Sequence, residues 1–228
     1  MNVAKQGAGA TGFRWDVLTI GHLSRNRYWG EADDRAYREP LCTCTLIRTD
    51  GFTVVVDPGL PPEEMGRVLD RRVGLAPGSI DMVFLTHFHG DHRVGLEAFP
   101  DADWRIAPSE FEHERSQLAA GSPERELLER LRPAGPELIP GITVIETPGH
   151  SAGHASLLFE SAGKRIAVAG DAVMTRDFFQ HRDYYFNTVD PDAAVTSIQT
   201  IAGAADIVVP GHDNHFLNER LAWGGTPQ

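Results

Sequence analysis

Four side chains able to bind metal stand within six residues of this chain: His87, His89, Asp91 and His92. Imidazole nitrogens and carboxylate oxygens are donors that divalent cations such as zinc accept. On an extended segment His87 and His89 project from one side, because side chains alternate along a strand. Gly90 then permits a sharp turn. That turn carries Asp91 and His92 to the same cavity from another direction. The cluster suits two adjacent cations, one on the two imidazoles and one on Asp91 and His92. Water held between two cations supplies hydroxide near neutral pH, so the chemistry indicated is hydrolysis without a serine or cysteine nucleophile. Three further residues of ligand type follow on glycine-containing turns. They are His150 in Thr147-Pro148-Gly149-His150, Asp171 after Gly170, and His212 in Pro210-Gly211-His212. A polar turn with coincidental histidines does not account for this succession.

Positioning these residues requires strands that end together. Residues 13–20 read as a first strand, and residues 41–48 and 52–56 as a hairpin around Thr49-Asp50-Gly51. Residues 62–75 read as a helix with Met65, Val68, Leu69 and Val73 on one face. Residues 81–86 form a short apolar strand leading directly into the histidine cluster. Ser109 with Glu112 resembles a capping box that opens a helix toward Ala120. Ser122-Pro123 opens another helix. Residues 142–147, 155–159 and 165–169 read as strands. Asp190-Pro191 starts a helix through Ala202, and residues 206–209 form a final strand. The order suggests two sheets packed together with helices outside. Residues 1–12, small and glycine-rich, are expected to be disordered, and residues 13–228 to form one domain.

The pattern His87-x-His89-x-Asp91-His92, followed by His150, Asp171 and His212, resembles the metallo-β-lactamase superfamily from about the second strand to His212. The resemblance implies an α/β fold, an αββα sandwich of two mixed sheets with a dinuclear site at one rim. It implies His87, His89 and His150 on the first metal, and Asp91, His92 and His212 on the second. Asp171 would bridge the two. Asp57, in Val54-Val55-Val56-Asp57-Pro58-Gly59, matches an early family motif and would orient ligands from behind them. The same residue also reads as a turn aspartate capping a strand end. Asp91 would orient the nucleophile or relay its proton. Two divalent ions per chain are expected, zinc first, with iron or manganese as alternatives.

Asp171 stands where the main β-lactamase branch has cysteine, and His89 where flavodiiron proteins have glutamate. The spacing is most similar to that of the acyl-homoserine lactonases and compact relatives. The resemblance therefore implies a small acyl substrate, an ester, lactone or thioester, acyl-homoserine lactones included. Alternatives are a mononuclear iron enzyme of the persulfide dioxygenase kind and a phosphodiesterase or nuclease. Those lactonases place a tyrosine three residues after the bridging aspartate, where this chain has Met174. Tyr184 or Tyr185 could substitute. Residues 178–186 are rich in aromatics and either wall the pocket, with Phe178, Phe179, Tyr184 and Tyr185, or bury their own rings in the core. His154 reads as a residue behind the ligands or at a strand start.

The chain has 228 residues and a formal charge of −11. That charge repels phosphate backbones, so a small-molecule partner is expected and no nucleic acid. No apolar run approaches the roughly 20 residues of a membrane span. The two cysteines, Cys42 and Cys44, are read as buried reduced thiols, consistent with the cytoplasm.

Overall fold

The computed structural model describes residues 12–219. The expected disorder of residues 1–12 therefore lies, up to Thr11, outside the described residues. Strands β1 (Arg14–Thr19), β2 (Cys44–Arg48) and β3 (Thr53–Val56) are followed by helix α1 (Pro62–Val73) and β4 (Met82–Leu85). The single turn α2 (Gly90–Arg93), β5 (Asp103–Ile106), α3 (Pro108–Gln117), α4 (Pro123–Leu128) and β6 (Arg132–Pro133) complete the first half. The second half contains β7 (Glu137–Ile139), β8 (Ile142–Glu146), β9 (Ala155–Ser161) and β10 (Lys164–Gly170). It ends with α5 (Arg176–His181), α6 (Pro191–Ala204), β11 (Ile207–Pro210) and β12 (Phe216–Leu217).

Two six-stranded sheets result, ordered β1-β2-β3-β4-β5-β6 and β12-β11-β10-β9-β8-β7. Both are mixed, as expected. Strands β3, β4 and β5 run parallel. Strand β10 runs parallel to β11, and β8 and β10 are each antiparallel to β9 between them. The ligand-bearing strands of each sheet thus share one direction.

The period-two alternation of strands divides the apolar residues between layers. Val54, Val56, Met82 and Phe84 of the first sheet meet Leu157, Phe159, Ile166 and Val168 of the second. The intervening residues Val55, Val83 and Leu85 face Met65 and Leu69 of α1. Ala167 and Ala169 face Ile198 and Ile201 of α6. Strands covered on both faces carry nearly continuous apolar runs, which explains Val54-Val55-Val56 and Met82-Val83-Phe84-Leu85. Each such side chain, fully buried, contributes about 1.5–3 kcal/mol.

Several expectations are corrected. Helix α3 begins at Pro108, with Ala107 as its cap and no side-chain cap bond. Ser109 therefore sits inside the first turn, and its hydroxyl donates to the Gly153 carbonyl (3.2 Å) instead of capping a helix with Glu112. Gly90 opens a helical turn without a positive φ, so its conformational freedom is not used there. Strand β5 and helix α5, of four and six residues, were not expected from the sequence. Asp190 does cap α6, accepting from Ala193 N (3.0 Å), and Ser122 caps α4.

Candidate metal centre

The turn after β4 carries His87, His89, Asp91 and His92. Phe88 points into the core beneath α1, so His87 and His89, one residue to either side, share the opposite face. Their ring centroids are 4.5 Å apart. His150 lies on the loop after β8, Asp171 on the turn after β10, and His212 on the turn after β11. All seven residues converge at the rim where β4, β8, β10 and β11 end.

Two groups of donor atoms form, His87, His89, His150 and Asp171 in one and Asp91, His92 and His212 in the other. Within each group the donor atoms lie within 4.8 Å of one another. His89 Nδ1 is 2.9 Å from His87 Nε2 and 2.9 Å from His150 Nε2. Asp171 connects the groups. Its carboxylate lies 3.2 Å from His150 Nε2, 3.2 Å from His92 Nε2, 3.3 Å from His212 Nε2 and 3.8 Å from His87 Nε2.

These residues fit bound cations. Three ring nitrogens face one another, and any hydrogen bond among them uses one as a lone-pair acceptor, because a neutral imidazole donates from only one nitrogen. Asp171 Oδ1 and His92 Nε2 are buried 3.2 Å apart, in a contact that lacks hydrogen-bond geometry. Burial and neighbouring imidazoles push His87 well below its ordinary pKa, and burial pushes His150 down to about 3. Both therefore present lone pairs. For His92 burial works in the same direction, but Asp171 and Asp57 outweigh it and hold the ring's pKa well above the usual value. His212 is raised in the same way by Asp171. Burial alone would raise Asp171, yet His212, His92 and His150 keep its carboxylate well below the ordinary range. The carboxylate therefore stays ionised between the two groups and can serve as a donor to cations.

A supporting set of residues holds the donors. Asp57, at the end of β3, has a φ of 53°. That left-handed conformation is uncommon outside glycine, although aspartate tolerates it better than most. It turns the carboxylate back onto Thr86, accepting from its N (2.9 Å) and its hydroxyl (2.8 Å). The carboxylate also lies 3.0 Å from His92 Nδ1. His212 Nδ1 donates to the Leu41 carbonyl (2.8 Å), which leaves Nε2 free to face the site. Gly211 allows the last approach, since a Cβ there would lie 1.9 Å from Asp171 Oδ1. His154 is buried 5.1 Å from the His87 ring, and its Nδ1 lies 2.9 Å from the Thr147 hydroxyl. Replacing Asp57 with alanine is expected to weaken metal binding by about 10–100-fold, as for other partners that orient ligands. Chelator competition measures this, and an unchanged affinity would remove Asp57 from the centre.

A cavity of about 420 Å³ opens above the donors. That is within the range of small-molecule sites. Of the five residues expected to line it, only Tyr185 does so. Met174 and Phe178 lie behind the wall, in a buried cluster with Leu23 and Tyr185. Phe179 faces the other way, against Phe216 and α6. Tyr184 is exposed outside the lining. Helix α5 turns Phe178 and Phe179 inward, and only beyond its left-handed end at Arg182 does the chain return along the rim. The Tyr185 hydroxyl donates to the Arg25 carbonyl (3.2 Å) and pairs with Ser24 Oγ (3.0 Å). It secures the opposite wall.

That wall, which sequence reasoning missed, is Leu23, Ser24, Ala36, Arg38, Glu39 and Pro40. Arg38 pairs with Glu31 and donates to the Leu23 carbonyl (3.1 Å). Tyr28 and Arg27 anchor the same segment to Asp183 (2.7 and 3.0 Å). One signal was available: residues 20–43 form a long connection, and long connections in compact domains are usually functional.

The αββα layering and the rim of histidines and aspartates define the class. The Metallo-beta-lactamase superfamily model matches residues 37–212, and the chain belongs to that superfamily. It is 28% identical over 207 residues to an N-acyl homoserine lactonase of Bacillus cereus, covering 75% of this chain and 80% of that one. Among solved structures it resembles a Bacillus thuringiensis AiiA mutant with N-decanoyl-L-homoserine bound at the active site. There the TM-score is 0.64 at 22% identity, over 89% of this chain and 93% of that one. It also resembles AidC, a dizinc quorum-quenching lactonase, with a TM-score of 0.64 at 17% identity, over 94% and 86% of the two chains.

Proposed function

We propose that this protein is a dinuclear metal-dependent hydrolase of small acyl substrates, with lactones the first choice and esters and thioesters next. The observation that carries the reading is Asp171. Its one carboxylate approaches ring nitrogens of both donor groups at 3.2–3.8 Å. In this reading His87, His89 and His150 hold one cation and Asp91, His92 and His212 the other, with Asp171 between them. The nitrogen and oxygen donors favour zinc. Bound cations would supply a water of lowered pKa and polarise the oxygen under attack.

The chain's own residues do the remaining work. Asp91 is partly exposed toward the cavity, 3.6 Å from His212 Nε2, and serves to orient the nucleophile and relay its proton. Leu23, Pro40, Tyr185 and Phe186 offer an apolar surface to the acyl portion. Ser24, Arg38 and Asn187 offer polar contacts beside it. Lactone substrates are supported by the likeness to the lactonases. The two buried free thiols support a cytoplasmic location. Among the described residues no helix is long and apolar enough to cross a membrane. Residues 13–228 would act as one domain.

Elemental analysis of purified protein under saturating zinc tests the metal count, with two ions per chain expected. A side-by-side panel at physiological salt then compares a lactone, an ester, a thioester and single-stranded RNA. Small acyl substrates are expected to be cleaved faster. Faster RNA cleavage would move the protein to the nuclease branch, and a single ion with an intact fold would remove the dinuclear reading.

A further inference from the structure

The two donor groups are secured differently. His92 and His212 are each held by a direct contact to the ring, from Asp57 and from the Leu41 carbonyl (3.0 and 2.8 Å). In the first group His87 Nδ1 lies 3.1 Å from the Thr86 hydroxyl, but His150 has no such partner, because its buried Nδ1 makes no hydrogen bond. A different residue reaches its loop. Glu110, in the first turn of α3, is fully buried and makes no ion pair among the described residues. Its Oε1 accepts from Phe88 N (3.1 Å). Its Oε2 accepts from Ser151 Oγ (2.8 Å) and Gly153 N (3.0 Å).

These three donors are placed where they matter. Phe88 separates His87 from His89, and Ser151 follows His150. One carboxylate therefore ties the segment bearing two donors of the first group to the loop bearing the third. The contact is too close for any side chain at position 153, since a Cβ there would lie 2.0 Å from Glu110 N. A buried carboxylate without a counter-ion is costly unless hydrogen-bonded, and here neutral donors satisfy it. Its charge stays close to the donor group and adds to the attraction for a cation.

We propose that Glu110 is the positioning residue of the His87, His89 and His150 group, locking these three donors together and favouring a cation there, with no comparable role in the Asp91, His92 and His212 group. The proposal rests on the two-cation reading. The test isolates each group. A His212→Ala background retains the first group and a His150→Ala background the second. Zinc affinity is then measured by competition with a chromophoric chelator, with circular dichroism checking the fold. Glu110→Gln keeps the shape but loses the charge and one acceptor. It is expected to weaken zinc binding about 10–100-fold on the His212→Ala background. On the His150→Ala background affinity should stay at its parent value. Ser151→Ala keeps the Glu110 charge and removes one donor, so it should give a smaller loss on the first background only, and it stands in if the glutamine variant does not fold. Unchanged affinity on the first background, or equal losses on both, overturns the proposal. A His212→Ala chain that binds no zinc at all overturns the two-cation reading itself.

Discussion

Asp171→Ala is expected to reduce the metal content from two ions to one and to lower turnover by more than the ~100-fold typical of residues that merely orient ligands. The side chain is only 4% exposed and lies within 3.3 Å of ring nitrogens of His92, His150 and His212. Its removal leaves a buried ring of imidazoles without the anion that neutralises them. Two cations bound there would repel each other across a weakly screening interior. Asp171→Asn separates the effects, because it keeps the volume and removes the charge. If charge is what matters, the asparagine variant should lose nearly as much as the alanine variant. Turnover at the wild-type level with two ions retained would refute the bridging role.

Exhaustive chelation is expected to abolish hydrolysis and to lower the melting temperature by at least ~5 °C, and zinc should restore both. An ion that binds only the folded chain, present at 100 times its Kd, stabilises it by about 2.7 kcal/mol. In a chain of this size each kcal/mol shifts the melting temperature by about 2–4 °C. The site gives a physical reason for the loss. Without cations, His92 Nε2 and Asp171 Oδ1 remain buried with only their mutual 3.2 Å contact, which lacks hydrogen-bond geometry. Differential scanning calorimetry before and after chelation measures the effect. Unchanged melting and undiminished activity in metal-free protein would rule out a metal-dependent hydrolase.

The sequence by itself determined what short-range geometry controls. An extended chain must place His87 and His89 on one face and Phe88 on the other, so this part of the site was legible from residue order alone. The hairpin at Thr49-Asp50-Gly51 and the caps at Ser122 and Asp190 were legible for the same reason, since each depends on neighbours in the chain. The helix start read at Ser109 failed because a distant carbonyl, that of Gly153, competes for its hydroxyl.

Only the tertiary structure decided which residues face the donors from outside. The cavity wall comes from residues 23–40, and Tyr185 meets Ser24 across 161 positions of chain. The aromatic run 178–186 did not divide as its composition suggested. Helix α5 buries Phe178 and Phe179 on two different clusters, and a helix's rotation is set by what it packs against. Glu110 had no local signature, since its three donors lie on segments 22 to 43 positions away. The physical reason is common to these cases. Dihedral preferences act over a few residues. Contacts between distant segments depend on how the parallel ends of two sheets are brought to one rim, and the packing of the whole core sets that arrangement.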